Sequence, residues 1–215
     1  MFMASTTITI RLLRTRRPAY RSATWGLDLG AGRTGSPKPI RPSLAMARGG
    51  HRFIRGNHDN PAVSREQSQW IPDGTFENNM MFVGGAISID REFRRADYDW
   101  WPDEELSSVD LRRMIALYIG RKPRIMVTHD CPGEVASIIL SRTLMSGSSK
   151  LDPPSRTCLA LQEMWASHCP NIWIFGHYHV SFDQVLHGGR DKGTRFIGLA
   201  ELEYRDLDMA TSSNS

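Results

Sequence analysis

Acidic residues are almost missing from the first fifty positions. Asp28 is the only one, against nine basic residues (Arg11, Arg14, Arg16, Arg17, Arg21, Arg33, Lys38, Arg41 and Arg48). The remaining chain carries 18 basic and 22 acidic residues, so the net charge of +4 and the pI near 9.2 belong to the N-terminal quarter. Such an arm can attract nucleic acid electrostatically, whereas the rest of the chain carries no excess of positive charge. Cysteines are also few. Cys131, Cys158 and Cys169 form an odd set without a CxxC pair, which fits reduced thiols in a reducing compartment better than a disulfide framework. No apolar run approaches the ~20 residues that cross a bilayer, and no secretory cleavage pattern opens the chain. These absences lead to the expectation of a cytoplasmic protein without a membrane partner. Oligomeric state leaves no readable signal.

With 40% apolar and 23% charged residues among 215, neither wholesale disorder nor a fibrous class is indicated, and one main domain is expected. The division anticipated is a divergent basic segment over 1–50, a domain over 51–207 and a frayed tail over 208–215. Within the first segment "TTITIRLL" reads as a strand and "ATWGLDLGAG" as a second strand running into a turn. From His51 onward short apolar runs alternate with amphipathic stretches. "HRFI", "MMFVGGAISI", "RIMVTH", "NIWIFGH" and "TRFIGLAELEY" read as strands. Helices are expected in "PDEELSSVDLRRMIALYIG", with acids in the first turn, an apolar face of Leu106, Val109, Met114, Leu117 and Tyr118, and Gly120 as its stop. Two more are expected in "GEVASIILSRTLM" and "SRTCLALQEMWASH", the latter capped by Ser155. "GRDKG" reads as a hairpin turn. Strands interleaved with helices make the fold class α/β.

Three of the strands end alike. "RFI" runs into "RGNHDN", "IMV" into "THD" and "IWIF" into "GHYH". Asn57, His58, His129, His177 and His179 therefore all lie just past the carboxyl ends of strands, where α/β sheets place their sites. If the extended backbone continues through "GHYH", His177 and His179 project to the same face, and Gly56 and Gly176 let the chain bend as each strand gives way. Imidazoles together with amide and carboxylate oxygens suit a hydrolytic metal centre.

"GNHD" at 56–59, "THD" at 128–130 and "GHYH" at 176–179, in that order, resemble the three downstream motifs of the calcineurin-like metallophosphoesterase family, and their context is similar to its small phage and bacterial members. The resemblance covers roughly 51–207. It implies a four-layer α/β/β/α sandwich, two divalent metal ions (Mn, Fe, Zn or Ni) and hydrolysis of a phosphate monoester or diester by metal-activated water. The substrate would be a phosphorylated protein, a nucleotide or another ester. Carried over, Asn57, His129 and His177 bind the second metal and His179 the first. His58 protonates the leaving oxygen and Asp59 orients its ring. Two cations suit that chemistry by activating water and offsetting charge on both the entering and leaving oxygens.

Two upstream family motifs are not matched. No Asp-x-His precedes Gly56, and "GLDLGAG" only approximates the Gly-Asp that supplies a bridging carboxylate, a role assigned to Asp28. The N-terminal strand-helix region is thus expected to be incomplete, and the first metal site weaker than the second. A divergent segment, a frame or start error, and an Arg-rich transit segment up to about Arg21 each account for some of this composition. The competing class is a degenerate member that keeps the fold and at most one metal. Arg55, Arg94 and Arg95 are candidate phosphate clamps, with Arg55 favoured as substrate-binding. Tyr98, Trp100 and Trp101 form either a packing staple or an aromatic wall of the substrate cleft.

Overall fold

The runs MMFV, IMVT and IWIF carry no charge, as expected of strands buried on both faces of a parallel sheet. The computed structural model, which describes residues 7–11, 52–88, 90–143, 155–188, 192–201 and 203–208, places them at the centre of one. In chain order the elements are β1 (Thr7–Arg11), α1 (Pro61–Arg65), β2 (Phe76–Glu77), β3 (Met80–Val83), a 3-10 turn (Arg91–Phe93), α2 (Ser108–Arg121), β4 (Ile125–Thr128), α3 (Gly133–Thr143), α4 (Arg156–Ser167), β5 (Ile172–Phe175), β6 (Phe182–Leu186), β7 (Thr194–Gly198) and β8 (Tyr204–Asp208). Six strands form one sheet in the order β2-β3-β4-β5-β7-β6. β3, β4, β5 and β7 run parallel, and β2 and β6 flank them antiparallel. β1 and β8 make a separate antiparallel ribbon, with Thr7 opposite Asp208. The α/β class is therefore observed.

Alternation along each strand divides the core in two. Met81, Val83, Met126, Trp173, Phe175 and Phe196 face the helices, where they meet Leu111, Ile115 and Tyr118 of α2, Val135 and Ile139 of α3, and Leu161, Met164 and Trp165 of α4. Met80, Phe82, Ile125, Val127, Ile174 and Ile197 face the other way, against Ile54, Ile71 and Leu207. The indole N–H groups of the first face are satisfied from neighbouring strands. Trp173 donates to Thr128 Oγ1 at 2.8 Å and Trp165 to Thr194 Oγ1 at 3.1 Å.

Several expectations need correction. α2 starts six residues later than read, because Ser107 is its cap and accepts from Asp110 N at 3.1 Å. Its buried stripe is Leu111, Ile115 and Tyr118, with Leu106, Met114 and Leu117 packed against the same core as expected, while Val109 faces solvent. The helix passes through Gly120 and stops at Lys122, which takes a left-handed conformation (φ 48°). "TRFIGLAELEY" is not one strand, because the chain breaks between β7 and β8. "HRFI" makes only an isolated bridge from Phe53 to Trp70, and His51 lies outside the described residues. α1 and β6 were missed. α1 is capped by Asn60 Oδ1, which accepts from Ala62 N at 3.0 Å. β6 pairs antiparallel with β7, as the hairpin reading of "GRDKG" requires, although positions 189–191 of that turn lie outside the described residues. The strand read in "ATWGLDLGAG" also lies outside them. Of the anticipated tail, 209–215 is likewise undescribed.

Trp173 is fully buried and stacks on Phe196 with ring centroids 5.7 Å apart. Trp173→Ala is expected to lower the free energy of unfolding in urea by about 3–5 kcal/mol. Val109→Ala, at a half-exposed position of α2, is expected to change it by less than about 0.5 kcal/mol.

Candidate metal centre

Because β3, β4 and β5 are parallel and in register, their carboxyl ends open at one edge of the sheet. The backbone ladder continues a step past the strands: His129 N donates to Val83 O at 3.0 Å and Gly176 N to His129 O at 3.1 Å. The loop carrying Asn57 joins the same edge through Gly85 N, which donates to Arg55 O at 2.9 Å. Three stretches distant in sequence thereby deliver their side chains to one place.

Asn57 Oδ1 stands 2.9 Å from His129 Nε2, and the rings of His129 and His177 lie 5.1 Å apart, tilted by 63°. Asn57 Nδ2 is 3.3 Å from His58 Nε2. His58, His129, His177 and His179 are close enough to sense one another electrostatically. Burial, reinforced by the nearby Arg94 guanidinium and opposed by Asp90, lowers the pKa of His58 to about 4. His129, completely buried, is held well below its usual value, first by desolvation and then by His177 and His58. His177 is lowered by burial, with Asp130 acting in the opposite direction. These rings are thus kept neutral, the state in which imidazole binds a cation. Nδ1 of both His58 and His129 is buried with no hydrogen-bond partner among the described residues.

The turn after β5 departs from the extended geometry expected of it. His177 (φ 63°) and His179 (φ 57°) both adopt the left-handed region, which costs a non-glycine residue about 1 kcal/mol or more. Tyr178 between them holds this conformation. Its hydroxyl donates to Asp130 Oδ1 at 2.8 Å, so the turn is tied to the residue following His129. Asp130 also accepts from Cys131 N at 2.8 Å, and its Oδ2 lies 3.0 Å from Ser155 Oγ. Gly56 and Gly176 are not in positive φ. What Gly56 provides is room, since an added Cβ would lie 3.1 Å from His129 Cε1.

One further expectation changes. Arg55 is only 2% exposed, and its guanidinium is engaged by Asp73 Oδ2 (3.2 Å), Glu104 O (2.6 Å) and Asp103 O (3.3 Å), so it braces two loops instead of facing a substrate. Asp59 Oδ2 accepts from Gly56 N at 2.6 Å, closing the turn around Asn57, and the Asp90 carboxylate acts on His58 to raise its pKa. Asp90 is itself gripped by Arg94 at 2.8 and 2.6 Å, which lowers its pKa. Arg95 lies over the Tyr98 ring, 5.6 Å from its centroid. Asp28 lies outside the described residues.

Among the described residues, no three His, Cys, Asp or Glu side chains gather into a metal-holding group. The donor set that does converge includes an amide oxygen: Asn57 Oδ1 with the imidazoles of His129 and His177. That set, with its partnerless buried nitrogen, fits one divalent cation. For a second cation the described residues offer the exposed His179 and no carboxylate identified with that site. The sequence reading missed Ser88, Asp90, Glu104, Asp130 and Tyr178. Asp130 and Tyr178 sit directly beside recognised histidines, which was signal enough, whereas Ser88 and Glu104 carry no local mark. No family model, no curated protein and no solved structure matches this chain.

Histidines held neutral in the fold but protonated near pH 6.5 when unfolded mean that the unfolded chain binds more protons below that pH. The stability that depends on these rings staying neutral is therefore fully present above about pH 6.5 and is lost as pH falls toward the depressed folded values. Lowering the His58 pKa from 6.5 to about 4 corresponds to roughly 3 kcal/mol in the cost of protonating it folded. Urea unfolding with chelator present should show a decline between pH 6.5 and 4.5 that is shallower in His58→Gln. Equal slopes would contradict the burial assigned to this ring.

Proposed function

We propose that this chain is a metal-dependent phosphoesterase of the calcineurin-like type, hydrolysing a phosphate monoester or diester. One observation carries the reading: Asn57, His58, His129 and His177, drawn from three distant motifs, meet at the carboxyl ends of parallel strands, with Asn57 Oδ1 facing His129 Nε2 at 2.9 Å. Asn57, His129 and His177 would hold one divalent cation, and His179 with Asp28 would contribute to a second. Bound there, such ions supply Lewis-acid activation of water and charge that offsets the phosphoryl oxygens.

The residues of the chain supply the remaining chemistry. His58, next to the amide of Asn57, is the proton carrier for the leaving oxygen. Its resting pKa of about 4 leaves it neutral, and an arriving phosphoryl anion favours its protonated form. Arg94, held by Asp90 within electrostatic reach of His58, is better placed than Arg55 to steady an anionic substrate. The reading includes the four-layer arrangement, in which a second sheet would pack on the face bearing Met80, Phe82, Ile125 and Val127. It places the protein in the cytoplasm, in keeping with three buried free thiols, and no described helix is long and apolar enough to cross a membrane. The basic segment that could attract nucleic acid lies almost entirely outside the described residues.

A second reading, a chain that keeps one ion and turns over weakly or not at all, is favoured by the lack of an Asp-x-His ahead of Gly56. Metal content after reconstitution with Mn2+ and desalting separates the two, since two ions per chain support the enzyme and one or none supports the degenerate form. Hydrolysis of p-nitrophenyl phosphate and its bis ester should require added Mn2+, and His58→Ala should lower kcat by about 10²–10⁴-fold without loss of fold. Hydrolysis that is indifferent to both Mn2+ and the substitution would sink the proposal.

A further inference from the structure

The amide of Asn57 can present either an oxygen or an NH2 group to His129, and only the oxygen can serve as a cation ligand. What decides between them lies behind it. Asn57 Nδ2 donates to Ser88 Oγ at 3.0 Å, and Ser88 Oγ donates to Glu104 Oε2 at 2.5 Å. Ser88 N donates to the other carboxylate oxygen, Glu104 Oε1, at 2.9 Å. Asn57, Ser88 and Glu104 are all nearly inaccessible, so water is not available to substitute for any of these partners.

The proton count fixes the direction of this chain of bonds. An ionised carboxylate only accepts, so the single hydroxyl proton of Ser88 is committed to Glu104. Ser88 Oγ then has only lone pairs to offer Asn57, which must turn its NH2 group toward the serine and its oxygen toward His129. The other neighbour of the amide, His58 Nε2 at 3.3 Å, donates or accepts according to its tautomer and so does not discriminate.

We infer that Glu104 is a positioning residue that acts through Ser88 to hold the Asn57 amide with its oxygen toward the ligand cluster. The inference uses the proposed metal site but concerns the orientation of a side chain, which is observable without any metal. Replacing Glu104 by its isostere reverses the relay. In Glu104→Gln the Ser88 N–H still demands the oxygen, leaving the Gln NH2 group at Ser88 Oγ. The serine proton is then released toward Asn57, which turns its oxygen away from His129.

The test is made first on 15N-labelled, metal-free protein, with the Asn57 side-chain amide assigned by its loss in Asn57→Asp. In the unaltered chain its NH2 protons should show NOEs to the Ser88 Hβ protons, and in Glu104→Gln to the His129 ring. Titration with Mn2+ alone should then show affinity weakened about 10–100-fold in Glu104→Gln and nearly retained in Ser88→Thr, which keeps the hydroxyl. NOEs and Mn2+ affinity unchanged in a folded Glu104→Gln would overturn the inference. An amide that turns in a protein whose unaltered form binds no Mn2+ would uphold the positioning and overturn the phosphoesterase reading. Should Glu104→Gln fail to fold by circular dichroism, Ser88→Ala carries the test. Loss of the acceptor should give NOEs from both amide orientations, and a single unaltered orientation would refute the role of the serine.

Discussion

The parallel register of β3, β4 and β5 is the constraint on which both core and site depend. Met80 stands opposite Ile125, and Ile125 opposite Ile172, and the ladder continues beyond the strands into His129 and Gly176. A slip of one residue would exchange the two faces of a strand, bringing Ile125 and Val127 to the helices and turning Met126 away. The same slip would carry His129 about 3.3 Å along the strand direction, out of reach of Asn57. Hydrophobic packing thus sets the position of the polar groups.

Around this frame the buried polar groups are joined into networks. Two adjacent acids in "PDEEL" divide the work. Glu104 receives both hydrogen bonds of Ser88, whereas Glu105 accepts from Ser155 Oγ at 2.8 Å and Thr157 N at 2.9 Å at the start of α4. Burial raises the pKa of Glu104 and the bonds from Ser88 oppose the rise. Ser155 also reaches Asp130, and Asp130 reaches Tyr178, so the beginning of α4 is connected to the turn carrying His177 and His179. Arg55 adds a third tie, between the loop that carries Asn57 and the segment carrying Glu104. Networks of this kind are rigid when their members are satisfied and costly when one is removed.

How much of this was legible depended on whether a property is local. The apolar runs MMFV, IMV and IWIF announced central strands, and the polar residues directly after them announced a site. Ser155 announced α4, and Ser107 with Asp110 offered an equally good cap that was passed over for the acids following Pro102. The burial of Arg55, Glu104 and Glu105 could not be read, because it depends on partners such as Asp73, Ser88 and Ser155 that only the tertiary fold brings near. The backbone of "GHYH" was misread for a different reason: a histidine carries no mark of positive φ.

The left-handed conformations of His177 and His179 set stability against chemistry in a single turn. Glycine or asparagine would occupy either position with less strain, so a procedure selecting sequences for thermal stability alone would tend to remove both imidazoles. Such a redesigned chain could melt at a higher temperature with every strand in place, and it would have lost the side chains that distinguish this edge of the sheet from any other. Tolerance of glycine at these two positions therefore measures whether a chain of this type is being kept for its fold or for its ligands.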